Sequence, residues 1–90
     1  MFQALKEGIN RRRHVRRTLD AAGVIQWPDG GSDVPCILED ISLGGARLRL
    51  EGPADLPRFF LLIVPTEQID RACTVAWKDG ERVGVRFLAR

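Results

Sequence analysis

Tyrosine is absent from this chain of 90 residues, and histidine and methionine occur once each. A single histidine, His14, leaves no catalytic triad and no set of metal ligands, so neither an enzyme nor a metal site is expected. The two cysteines, Cys36 and Cys73, lie 37 residues apart with no CxxC pair, which removes the zinc-ribbon and disulfide-scaffold classes. Both thiols are expected to be reduced and buried, filling space as small apolar groups, with a single disulfide between them as the alternative. Hydrophobic length is also missing. The longest apolar run, Phe59 to Val64, is far shorter than the ~18 residues of a spanning helix, so membrane insertion is not expected. The opening MFQALKEGINRRR has too short an apolar stretch for a secretory signal and no small-residue cleavage site, and a cytoplasmic location is the expectation.

Nor is positive charge spread over the chain. Residues 1–17 carry Lys6 and five arginines against Glu7, a net +5, while the other 73 residues carry eight basic and eleven acidic side chains, a net −3. Small barrels that bind nucleic acid usually display several aromatics on a basic sheet. Here the sheet-forming part is net acidic and lacks tyrosine, so a nucleic-acid polymer is not the expected partner. A chain of this size buries roughly 60–65% of its unfolded surface, enough for one core. Residues 1–10 read as an N-terminal extension, helical for a turn or mobile, and residues 11–90 as a single domain.

What the sequence does contain is β pattern. Residues 19–27 alternate imperfectly and end at the turn signal PDGGS. Val34, Cys36 and Leu38 alternate with Pro35, Ile37 and Glu39; Ala46, Leu48 and Leu50 alternate with Arg47, Arg49 and Glu51. EGPADLP reads as a loop, and FFLLIV as a short apolar segment closed by Pro65. Cys73, Val75 and Trp77 form one face of the next segment, Asp79-Gly80 gives a hairpin signal, and Val83, Val85 and Phe87 form the return. Six such strands without an amphipathic helix between them predict an all-β fold, an antiparallel sheet closed into a small barrel.

Two segments carry chemistry. RRRHVRR, residues 11–17, packs five guanidinium groups into seven positions. Arginine suits a ligand with both phosphates and guanine edges, because its fork takes two phosphate oxygens or guanine O6 and N7. Arg12 and Arg16, four apart, can converge on one such ligand, with Arg11, Arg13 and Arg17 steering it in. DISLGG, residues 40–45, adds a carboxylate at Asp40 that can accept from guanine N1–H and its amino group. Ser42 brings a hydroxyl, Gly44 and Gly45 allow close backbone approach, and Gly45 is expected to support a turn with φ > 0. A solvated basic tail and a self-satisfied turn are the competing readings of the two segments taken singly.

These residues carry a resemblance. Arg12-Arg13-His14-Val15-Arg16 followed by Asp40-Ile41-Ser42-Leu43-Gly44-Gly45 is similar to the RxxxR and [D/N]xSxxG motifs of the PilZ domain family, the bacterial receptor module for cyclic di-GMP. GARLRL, ACTVAW and VGVRFL extend the likeness over roughly residues 10–88. The resemblance implies a single six-stranded antiparallel β-barrel with a flexible arginine-rich segment crossing its surface beside the glycine loop. It implies cyclic di-GMP as ligand, with no other cofactor. Arg11, Arg12 and Arg16 would hold phosphates and guanine edges, Asp40 and Ser42 a guanine, and Gly45 the loop. Arg13 and Arg17 also satisfy RxxxR, so that register stays open. Trp77 is divided between a place in the core and one near the ligand; Trp27 reads as a barrel residue. Ordering of the arginine segment over the ligand, read by a protein partner, is the implied mechanism; an adaptor of the same fold that needs no ligand is the alternative.

Overall fold

Each alternating segment becomes a strand of one closed sheet. The computed structural model describes residues 17–52 and 54–89, with side chains from Leu19 onward. Among these, six strands form: β1 (Arg17–Gln26), β2 (Asp33–Ile41), β3 (Gly45–Leu50), β4 (Phe59–Val64), β5 (Ile69–Asp79) and β6 (Arg82–Phe87). They pair antiparallel in the order β1-β2-β3-β6-β5-β4, and β4 returns to β1 to close the barrel. The extension at residues 1–10 and the arginines Arg11, Arg12, Arg13 and Arg16 lie outside the described residues. No helix among the described residues is long and apolar enough to cross a membrane.

The period-two pattern sets which face of each strand is interior. Cys36 and Leu38 of β2, Leu48 and Leu50 of β3, Cys73 of β5, and Val83 and Val85 of β6 all point into the core. β4 is apolar on both faces, so its sequence alone does not say which side is inside. Phe60, Leu62 and Val64 are interior and Phe59 lies outside, more than half exposed. Pro65 then ends the strand in a short 3₁₀ turn (Pro65–Glu67), with Gln68 in the left-handed region at φ 57°. The crossing from β3 to β4 through residues 51–58 packs Ala54 and Leu56 against the core. The Asp79-Gly80 signal is realised as the β5–β6 hairpin, with Gly80 at φ 62°. Both cysteines are free thiols in the core, and burial pushes each up to about 11, so neither is a nucleophile at neutral pH.

On the outer face, Arg49 and Arg82 stand directly opposite each other across β3 and β6. Like charges so placed destabilise a sheet unless an anion intervenes. Glu39 intervenes. Its carboxylate accepts from Arg49 Nη1 at 2.6 Å and Arg82 Nε at 3.0 Å, with Arg47 Nε at 3.7 Å. The hydrogen bond from Arg82, and then the charges of Arg82 and Arg49, hold this carboxyl below its ordinary 4.5 although burial opposes them. A depressed folded-state value means stability present at neutral pH and lost as pH falls through the folded value, below 4.5. Glu39→Gln is therefore expected to destabilise the barrel more at pH 7 than at pH 3, as read by urea unfolding. An equal difference at both pH values would show that the charge of Glu39 does not matter.

Candidate ligand-binding site

The loop between β2 and β3 is held by its own backbone. Ser42 N–H donates to the Gly45 carbonyl at 2.9 Å, and the Ser42 hydroxyl lies 3.4 Å from the same oxygen. Phe87 N–H donates to the Gly44 carbonyl at 2.9 Å, which ties the loop to the end of β6. Leu43 at the tip is 79% exposed. Gly45 does not adopt positive φ; among the described residues only Gly30, Gly80 and Gln68 do. Its requirement is instead close approach, since a Cβ there would overlap the Val85 carbonyl oxygen of β6. The expected turn glycine is a packing glycine.

Two irregularities in the ladder then gather the site. Against β3, β2 carries one extra residue at Glu39, which brings Asp40 level with Arg47. Against β6, β5 carries one extra residue at Ala76, which brings Trp77 level with Gly84. A continuous row results across four strands: Asp40, Arg47, Gly84, Trp77. Simple alternation places Trp77 with Cys73 and Val75 on the inner face, but the bulge turns it outward. There it is 47% exposed and lies against Gly84, where a Cβ would overlap indole Nε1 and Cε2. Two residues further along β6, past the row of Ala46, Val85 and Val75, lies the row Gly45, Arg86, Thr74.

Between these rows and the glycine loop lies an open depression of about 450 Å³, lined among others by Asp40, Ser42, Arg47, Trp77, Gly84 and Arg86. Asp40 is the buried charged residue of the described barrel, 6% exposed, with Arg47 Nη2 at 3.6 Å. Of the residues expected from sequence, the structure brings together Asp40, Ser42, Gly44, Gly45 and Trp77. Arg17 opens β1 opposite Ile41, with Thr18 opposite Asp40, so the chain joins the barrel beside the glycine loop. Arg11, Arg12, Arg13 and Arg16 lie outside the described residues. Trp27 follows β1 into the turn and is half-buried. Among the described residues no group of three or more His, Cys, Asp or Glu could hold a metal ion.

Residues 10–89 match the PilZ domain family, essentially the whole chain. The chain belongs to the PilZ domain family. No curated protein matches it. The family is one of cyclic di-GMP receptor modules, and in this PilZ barrel Asp40, Ser42 and the two loop glycines line one depression. Sequence reasoning overlooked Arg47, Gly84 and Arg86. Arg47 and Arg86 read only as the polar half of alternating strands. Gly84 did carry a signal, because a glycine inside a strand often marks close approach of another group.

Proposed function

We propose that this PilZ domain is a cyclic di-GMP receptor and that its occupied state is read by a protein partner in the cytoplasm. The observation that carries the reading is the depression beside the glycine loop that Asp40 and Ser42 line together with Trp77 and Arg86. Asp40 and Ser42 recognise the guanine edge. The exposed face of Trp77 supplies a surface on which a base can stack, a contact worth about 1–3 kcal/mol. Arg12 and Arg16, with Arg11 beside them and Arg13 and Arg17 as the alternative register, hold phosphates and guanine edges from the segment that leads into β1. Residues 11–90 act as the binding unit and residues 1–10 as its extension. Binding orders the arginine segment over the barrel, and the changed surface is the signal. The domain binds its ligand without chemical conversion and inserts no part into a membrane.

Calorimetric titration with cyclic di-GMP, cyclic di-AMP and GMP tests the reading. Saturable binding of cyclic di-GMP alone is expected, with an unfavourable entropy from ordering. Absence of heat at two temperatures, from folded protein free of copurified nucleotide, would replace the receptor with the ligand-independent adaptor.

A further inference from the structure

The arginines of the barrel differ in what already holds them. Arg47 lies between Asp40 and Glu39, and Arg49 and Arg82 both hydrogen-bond Glu39. Arg71 donates to the Leu88 carbonyl and sits 4.7 Å from the centre of the Phe87 ring. Arg86 differs from all of these. It lines the depression, is exposed, and makes no hydrogen bond or ion pair among the described residues.

We propose that Arg86 is a direct phosphate-binding residue of the site, and that Arg47 is a positioning residue that holds Asp40 for the base. The proposal rests on the receptor reading above and adds a cation to the motif arginines, one fixed to the barrel wall. Two anchors hold it there. Gly45 pairs with Arg86 so closely that a Cβ on the glycine would lie 3.3 Å from Arg86 Cα, and the adjacent Phe87 N–H is bonded to the Gly44 carbonyl. The backbone of Arg86 and the glycine loop are one unit. A ligand seated on that loop meets an arginine whose backbone is already fixed, so only the rotamers of its own side chain remain to be ordered on contact.

The rows of the sheet separate the two jobs. Asp40 and Trp77, the acceptor and the stacking surface suited to guanine, share one row with Arg47 and Gly84. Arg86 stands in the next outward row, two residues along the strand, roughly 6.6 Å away. That step is comparable to the distance from a base to its own phosphate. Arg47 is not a second free cation, since Asp40 at 3.6 Å and Glu39 at 3.7 Å already compensate its charge. Among the described residues Arg86 has no such compensation, so an anion there meets a charge that none of their carboxylates neutralises.

Titration of the full chain with cyclic di-GMP and cyclic di-AMP tests this, comparing the parent with Arg86→Ala, Arg86→Lys, Arg47→Met and Arg58→Ala. Arg58 is the matched control: it also has no side-chain partner among the described residues but lines a separate depression with Leu56 and Lys78. Arg86→Ala is expected to weaken cyclic di-GMP by about 10- to 100-fold and to flatten its ionic-strength dependence, with guanine preference unchanged. Arg86→Lys should lose less, keeping the charge without the fork. Arg47→Met should erode the preference for guanine, and Arg58→Ala should stay within about twofold. If the parent binds and Arg86→Ala behaves like Arg58→Ala, the assignment of Arg86 is wrong while the receptor reading stands. If the parent does not bind, both fall.

Discussion

Gly45→Ala is expected to cost the barrel about 2–3 kcal/mol and to lower its melting temperature by about 10–20 °C. The new methyl group would meet backbone: the Val85 carbonyl oxygen, with Val85 C at 3.1 Å and Arg86 Cα at 3.3 Å. A side chain can swing away from such a contact, but the backbone of a paired strand cannot. Relief requires β3 to draw back from β6 at its first pair, Gly45 with Arg86. That movement strains two hydrogen bonds of the loop, Ser42 N–H to Gly45 and Phe87 N–H to Gly44. Ligand binding should therefore fall together with stability. Gly52→Ala is the control, because a Cβ there meets nothing within 4 Å and the residue has no positive φ. Loss of chain entropy in the unfolded state makes that change neutral or stabilising by up to about 1 kcal/mol. Thermal melts of the two variants, followed by far-UV circular dichroism, decide the matter. Equal melting temperatures would mean that the glycine is dispensable and that its place in the motif is owed to the ligand alone.

The barrel was legible in the sequence because its strands are half-buried. GARLRL declares both faces: Leu48 and Leu50 inside, Arg47 and Arg49 outside. FFLLIV declares neither face, and only pairing with β1 and β5 selects Phe60, Leu62 and Val64 for the interior. The glycine loop was also legible, since DISLGG combines a carboxylate, a hydroxyl and two glycines in six residues. The composition of the depression was not, because it depends on two bulges. An extra residue in one strand is a relation between strands, set by how the neighbours close, and alternation within one strand carries no trace of it. Hence Trp77, which the sequence leaves divided between the core and the ligand, is found outside, and Arg47, which reads as a surface residue, is found beside Asp40. Gly84, flanked by two buried valines, was the local hint that something lies against β6 at that point.

The double variant Arg12→Ala/Arg16→Ala is expected to weaken cyclic di-GMP binding at least about 100-fold, below detection for a micromolar parent. Each arginine removed takes away a charge-assisted contact worth about 1.5–3 kcal/mol. Two groups on one ligand need not add, so the double loss sets a lower bound. Charge alone does not explain such a result, and a second pair separates the causes. Arg13→Ala/Arg17→Ala removes the same two charges from the same net +5 segment and also breaks an RxxxR spacing. General attraction of an anion to the segment predicts equal losses from the two pairs, and both losses should shrink together as salt is raised. A specific grip predicts a large loss from one pair and a small one from the other. Arg17 begins β1, paired with Ile41, which makes it part of the sheet rather than of the segment before it. The larger loss is accordingly expected from Arg12 and Arg16. A larger loss from Arg13 and Arg17 would move the register by one residue and bring the grip into the first strand. Full affinity in both variants would remove the arginine segment from the site and leave the barrel depression, with Arg86 and Trp77, to bind the ligand without it.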